Sequence, residues 1–239
     1  MEREYIKIPK SSLMPNSISD LKELSDEVWK NEIFHHLLSF YQNYDSKELK
    51  EKIEQERKNT KPQIEKKIAH YIRRYLEKDR FFSANFDVVG ENRNDDSEKE
   101  GFYDITMLNT YWVEKGTTNK VRFHFECKNL DKSQDLVNKY VCHNKGNSVF
   151  DGGIYRYFNG KYAQSLNFGG MIGFVLEGNI TDIKNKIVNK LNDKFDVAPE
   201  GDLLSLTDNS IEGNEFTFDS THKRKNKDFL IHHLLFDFT

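Results

Sequence analysis

Val121-Arg-Phe-His-Phe-Glu-Cys-Lys128 is the stretch of sequence that decides the fold. Successive side chains of a β-strand point to opposite faces, so Phe123, Phe125 and Cys127 share one face while Glu126 and Lys128 share the other. The apolar face predicts a strand that packs on a hydrophobic core. The polar face places a carboxylate beside an amine.

A second strand is predicted just upstream, where the segment 102–107 contains Asp104. Residues 102–113 and 120–128 are separated by a short polar linker and predict a β-hairpin. Paired positions in a hairpin have a nearly constant sum, so a turn near Lys115 or Gly116 brings Asp104 close to Glu126. We therefore expect the two acids to lie together.

Two close carboxylates beside an amine are suited to phosphodiester hydrolysis. Hard divalent cations prefer carboxylate oxygens, and Mg²⁺ also binds substrate phosphate. We expect Asp104 and Glu126 to bind Mg²⁺, or Mn²⁺ in its place, with the backbone carbonyl of Cys127 as a further ligand. The amine of Lys128 would orient the attacking water, help to remove its proton, or stabilise the charge of the transition state.

Glu65 is the third acid of interest. Thr60, Pro62 and Gln63 predict the start of a helix, whose apolar stripe includes Ile72 and Leu76. At 100° per residue, Glu65 lies between Ile72 and Leu76, at the edge of the buried face. One interpretation is an acid favoured by the helix dipole in the first turn. The other is an acid whose partner is the metal or its water shell.

The remaining periodicities predict helices that precede, interleave with and follow strands. The fold class is therefore α/β (mixed α+β), with an N-terminal helical extension, residues 1–59, and a domain over 60–239. A capping box at Asp45 and Glu48 predicts a mostly polar surface helix. Further helices are expected over 20–43, 45–57, 133–145, 150–163 and 180–191, strands over 83–89, 170–176, 215–219 and 229–238, and a polar loop over 90–101.

Composition limits the class of protein. The chain has 239 residues and a net charge of -3, and its 18 Phe and 11 Tyr provide enough apolar area for a core. Cys127 and Cys142 form no C-x-x-C motif, so neither a disulfide framework nor a structural zinc site is expected. This cysteine usage fits a reducing cytoplasm. The sequence shows neither a signal-peptide pattern nor an apolar run long enough for a bilayer, so no membrane partner is expected.

Other catalytic motifs are absent from the sequence. It contains no H-E-x-x-H, G-x-S-x-G or Walker loop. His232 and His233 are adjacent on a predicted strand and therefore face opposite ways, so they cannot jointly bind a metal.

The arrangement resembles the PD-(D/E)XK nuclease superfamily, which has an acid on a helix, Asp on one strand and Glu-x-Lys on the next. The resemblance covers about residues 60–176, and Phe125-Glu-Cys-Lys-Asn-Leu130 is similar to the motif in bacterial defence-associated members. Tyr103 stands where the superfamily's name has Pro. The resemblance implies a restriction-endonuclease-like core, a central mixed sheet flanked by helices, and the site Glu65, Asp104, Glu126 and Lys128. It also implies that Arg156 and Lys161 lie near phosphate.

We therefore expect a Mg²⁺-dependent endonuclease that acts on DNA in bacterial restriction or anti-phage defence and leaves a 5′-phosphate; RNA is an alternative substrate. Outward-facing Arg73 and the basic turn residues Lys223 and Arg224 are further candidates for nucleic-acid binding. The near-neutral charge indicates that binding needs local basic patches, self-association or a partner protein. Two alternatives remain: a non-catalytic nucleic-acid-binding subunit of a defence complex, and a structural or immunity protein with a salt-bridged patch.

Overall fold

The computed structural model describes residues 18–90, 92–93, 102–113, 120–142, 152–163, 166–193, 201–208, 210–211 and 214–239. Its helices are α1 (Ile18–Asn43), α2 (Ser46–Arg57), α3 (Ile64–Lys78), α4 (Arg80–Asn85), α5 (Gln134–Val141) and α6 (Ile180–Asp193), with a 3₁₀ helix at Gly153–Tyr157. Its strands are β1 (Phe86–Val89), β2 (Asn92–Arg93), β3 (Phe102–Tyr103), β4 (Ile105–Val113), β5 (Lys120–Leu130), β6 (Phe168–Val175), β7 (Leu203–Asp208), β8 (Thr217–Arg224) and β9 (Lys227–Asp237).

Seven of the described strands form one mixed sheet in the order β1-β4-β5-β6-β9-β8-β7, and β2 pairs with β3 separately. The central strands β5, β6 and β9 are parallel, whereas the outer pairings are antiparallel. The mixed α+β class predicted from the sequence is therefore confirmed.

Each face of the sheet has its own apolar core. Helices α1 to α4 cover one face, where Phe34 of α1 meets Phe125 edge-to-face at 6.1 Å between ring centroids. Helices α5 and α6 and the 3₁₀ helix cover the other face, where Met171 of β6 is fully buried. Strand β6 contributes alternate residues to both cores, as the apolar run predicted.

The hairpin register agrees with the sequence prediction. Ile105 pairs with Phe125 and Leu108 with Arg122, so the paired numbers have the constant sum that was expected. A register shift follows before Val113 pairs with Lys120. If the pairing is extended by one residue before Ile105, Asp104 falls opposite Glu126.

Two predicted element boundaries are wrong. Helix α3 begins at Ile64 and not at Thr60, because the N–H of Gln63 donates to Glu56 Oε1 at 2.9 Å and holds the preceding residues in a turn. Residues 83–85 belong to α4 and not to a strand. The Asp79 carboxylate accepts N–H bonds at the start of this helix and stabilises it.

Other segments differ in extent from the prediction. The expected helix over 150–163 is only a 3₁₀ turn, entered through Gly153 at φ +35°. Helix α5 ends at Val141, and the predicted continuation beyond residue 142 lies outside the described residues. Most of the predicted polar loop also lies outside them, although β2 pairs with β3 there. Helix α2 buries Leu49 and Ile53 against the core, so it is less exposed than expected.

Candidate active site

The site is built on one edge of β5. In the described pairing, β4 accompanies β5 only as far as Phe125, and β5 continues to Leu130. Asp104 lies at the bend that precedes β4. Its Oδ2 accepts the N–H of Cys127 at 2.7 Å, and Glu65 Oε2 accepts the N–H of Asn129 at 3.2 Å. Two carboxylates thus satisfy the backbone donors that a neighbouring strand would otherwise take.

Lys128 links the acids. Its Nζ lies 2.7 Å from Glu126 Oε1 and 3.0 Å from Glu65 Oε1, and it donates to the carbonyl of Cys127 at 2.6 Å. Burial alone would lower the pKa of Lys128, but the negative charges of Glu126, Glu65 and Asp104 outweigh it and raise the pKa. The amine is therefore firmly protonated.

Glu126 is the most deeply buried acid of the site, with 1% of its side chain exposed. Arg156 Nη1 donates to its Oε1 at 2.6 Å, and the hydroxyl of Tyr162 donates to its Oε2 at 2.9 Å. Arg156 also donates to the Tyr162 hydroxyl at 2.9 Å. The charge of Glu126 is thereby paired and fully hydrogen-bonded, which offsets the cost of burial.

Asp104 is in a different electrostatic position. Burial, with the nearby charges of Glu126 and Glu65, raises its pKa to about 7, although Lys128 and the Cys127 N–H act in the opposite direction. No described residue donates to its other oxygen, Oδ1. This carboxylate is the member of the site that most lacks positive charge.

Arg73 supports the backbone at Asp104. Its Nη1 donates to the Asp104 carbonyl at 2.6 Å, and its guanidinium lies directly against Gly90, where a Cβ would clash with it. The prediction that Arg73 faces outward is therefore wrong. Periodicity shows only which side of the helix a residue occupies, and Arg73 reaches the bend before β4 because its side chain is long.

Two carboxylates of the site, those of Asp104 and Glu126, are of the ligand type that suits Mg²⁺. Asp104 lies one residue before the first pair of the register, Ile105 with Phe125, and its raised pKa shows a carboxylate that a nearby cation would stabilise. Within the described ranges, no three His, Cys, Asp or Glu side chains form a metal-binding group. In the structure, Glu65 Oε1 lies 3.0 Å from Lys128 Nζ. The Cys127 carbonyl, the other expected ligand, accepts the Lys128 amine.

The remaining residues predicted to contact nucleic acid lie in different settings. Arg224 is buried, donates to the carbonyls of Tyr157 and Leu166, and lies 3.8 Å from the Phe229 ring centroid, so its role is structural. Lys223 is partly exposed and pairs with Asp228 at 3.2 Å. Lys161 is partly exposed beside Tyr162.

Tyr162 is the site residue that sequence reasoning missed. It is close in sequence to Arg156 and Lys161, which the resemblance had singled out, but its contact with Glu126 spans 36 residues. Its buried phenol has a raised pKa, first because of burial and then because of the Glu126 charge. His232 and His233 face opposite sides as predicted: His232 bonds Asp219, whereas His233 bonds Tyr140.

Comparison of the chain with protein-family models, curated proteins and solved structures finds no match. Within the part of the chain that the structure describes, no helix combines the length and the apolar character that crossing a membrane requires. The functional argument therefore depends on the geometry of the site.

Proposed function

We propose that this chain is a Mg²⁺-dependent endonuclease that hydrolyses phosphodiester bonds of DNA, with a restriction-endonuclease-like core. The observation that carries the proposal is the convergence of Asp104, Glu126 and a charged Lys128 at the edge of β5. The resemblance to defence-associated PD-(D/E)XK nucleases supports a role in restriction or anti-phage defence. Both cysteines are buried and unpaired.

Asp104 and Glu126 would hold the metal. A bound Mg²⁺ supplies charge stabilisation at the phosphoryl oxygens and makes water a better nucleophile. The N–H of Cys127 orients the Asp104 carboxylate, and Tyr162 and Arg156 orient that of Glu126. These contacts fix both acids before substrate binds, as electrostatic preorganisation requires.

Lys128 acts as a cation in this mechanism. Its raised pKa makes it a poor acceptor of the proton of water, so removal of that proton by the amine is disfavoured. Its positive charge is instead suited to orienting the attacking water and to stabilising the negative charge that develops on the phosphoryl group. Glu65 pairs with the same amine at 3.0 Å, so we assign it the role of a positioning residue.

The alternative function is a non-catalytic nucleic-acid-binding subunit of a defence complex. It is favoured by the ion pairs that Glu126 makes with Lys128 and Arg156, because these pairs satisfy the acid without a metal. It does not account for Asp104, whose burial near two other acids is unfavourable unless a proton or a cation compensates.

The test is incubation with plasmid, linear duplex DNA and RNA, with and without Mg²⁺ or Mn²⁺. A nuclease converts at least one substrate to products only with metal, and Lys128→Ala removes this activity. Binding without cleavage, under all of these conditions, would favour the alternative function. Products that bear a 5′-phosphate would agree with the proposed superfamily.

A further inference from the structure

A second polar surface lies between α2 and α3, where the two helices enclose a groove of about 370 Å³. Of its eight lining residues, four are lysine or arginine and only one, Glu48, is acidic. The cations are Lys52, Lys67, Arg74 and Lys78, and His70 lies among them.

The basic residues of α3 form one row. Lys67, Arg74 and Lys78 are separated by seven and four residues, so they share one face of the helix. At 1.5 Å per residue the row is about 16 Å long, and its members lie about 140–180° around the helix from Glu65. The groove is therefore separate from the candidate active site, although both involve α3.

The groove is lined by more cations than acids. The pKa of His70 is lowered by burial and by the neighbouring charges of Arg73, Arg74 and Lys67. Two exposed acids partly balance the cations: Glu48 pairs with Lys52 at 3.2 Å, and Glu77 pairs with Arg74 at 2.9 Å. Water screens such exposed pairs strongly, so a polyanion can compete for both cations.

We propose that this groove binds the sugar–phosphate backbone of a nucleic-acid strand. A row of cations beside aromatic side chains, here Tyr71 and Tyr75, is typical of surfaces that follow a strand. A membrane is a poorer partner, because the large apolar side chains exposed among the described residues, Val28, Phe81 and Leu204, do not line the groove. The cations of the groove would suit any polyanion, and the choice of nucleic acid rests on the proposed function.

The test measures binding in the absence of metal, so that cleavage does not interfere. Fluorescence anisotropy with a labelled single strand and a labelled duplex compares the wild type with Lys67→Ala/Arg74→Ala/Lys78→Ala over a range of salt concentrations. Each lost phosphate contact lowers the slope of log K against log salt by about 0.7 for a single strand. We expect weaker binding and a slope reduced by about 2 for the triple variant.

The control is Lys132→Ala/Lys139→Ala/Lys227→Ala, which removes the same charge elsewhere. Equal losses in the two triple variants would overturn the proposal, because net charge alone would then explain them. Wild-type binding to anionic vesicles but not to nucleic acid would also overturn it. A wild type that binds through the groove and never cleaves would contradict the proposed function alone. A groove variant with wild-type cleavage, affinity and salt slope would contradict this inference alone.

Discussion

The backbone N–H of Cys127 donates to Asp104 Oδ2 at 2.7 Å, so the candidate metal ligand replaces a β-strand partner at the edge of β5. The contact fixes the Asp104 carboxylate next to Glu126, in a setting that raises its pKa to about 7 through burial and the nearby acids.

Asp104→Asn should stabilise the metal-free protein above pH 7. The pKa of Asp104 is raised in the folded state. The stability that its protonated form contributes is therefore fully present below the pKa of the unfolded state, and it is lost as pH rises through 7. Asparagine retains an oxygen for the Cys127 N–H and has no charge. The gain in free energy of unfolding should be roughly 1–4 kcal/mol at pH 8 and much smaller near pH 4.5. Urea unfolding in EDTA at both pH values measures it, and an equal gain at both would count against the raised pKa.

Lys128→Ala should lower the rate of cleavage by about 10²–10³, because it removes the cation proposed to stabilise the transition state. The variant should also lose stability, since Glu126 retains Arg156 but loses one of its two cationic partners. Single-turnover cleavage, with circular dichroism to confirm folding, measures both effects. Lys132→Ala is the matched control and should cleave normally. A folded Lys128→Ala variant with the wild-type rate would exclude the proposed mechanism.

Glu65→Gln and Glu65→Ala separate the two roles of this acid. Glutamine can still accept the Asn129 N–H but no longer pairs with the Lys128 charge, so cleavage should fall while stability changes little. Alanine leaves the Asn129 N–H without this acceptor. It should lower the free energy of unfolding by a further amount of about 1–3 kcal/mol, the usual cost of a buried unsatisfied donor. Cleavage rates and urea unfolding of both variants provide the comparison. If both variants cleaved at the wild-type rate, the role of Glu65 would be only to stabilise the edge of β5.

Tyr162→Phe should show how much the Tyr162 hydroxyl stabilises the buried Glu126 carboxylate. The substitution removes one hydrogen bond to a buried carboxylate and should lower the free energy of unfolding by roughly 1.5–3 kcal/mol. Tyr71→Phe is the control, since its hydroxyl donates to the exposed Glu48 at 2.7 Å, where water can replace it. Thermal or urea unfolding distinguishes the two. Equal small losses would show that Tyr162 contributes little to holding Glu126.

The strands at the centre of the site were predictable because their signals are local or follow a simple rule. Alternation along 121–128 indicated which side chains share a face, and the constant sum of a hairpin placed Asp104 opposite Glu126. Helical periodicity placed Glu65 at the edge of a buried face, and the structure brings it to Lys128. In each case the signal is the regular repeat of one element or the pairing of a hairpin.

The contacts of Arg156 and Tyr162 were not predictable in the same way. They depend on a 3₁₀ turn entered at positive φ by Gly153 and on Ala163 at φ +50°, neither of which produces a periodic pattern. Strand β7 was missed because its residues are mostly exposed and do not alternate clearly. The start of α3 was misplaced because a side chain seven residues earlier, Glu56, satisfies the N–H of Gln63.

Calorimetric titration of the metal-free protein with Mg²⁺ and Mn²⁺ tests most directly whether Asp104 and Glu126 form a metal site. The matched set is the wild type, Asp104→Asn, Glu126→Gln and Glu77→Gln, whose acid is exposed on α3. We expect saturable binding by the wild type and Glu77→Gln, with affinity greatly reduced in the other two variants. Absence of binding by the wild type, or equal affinity in all four proteins, would contradict the account.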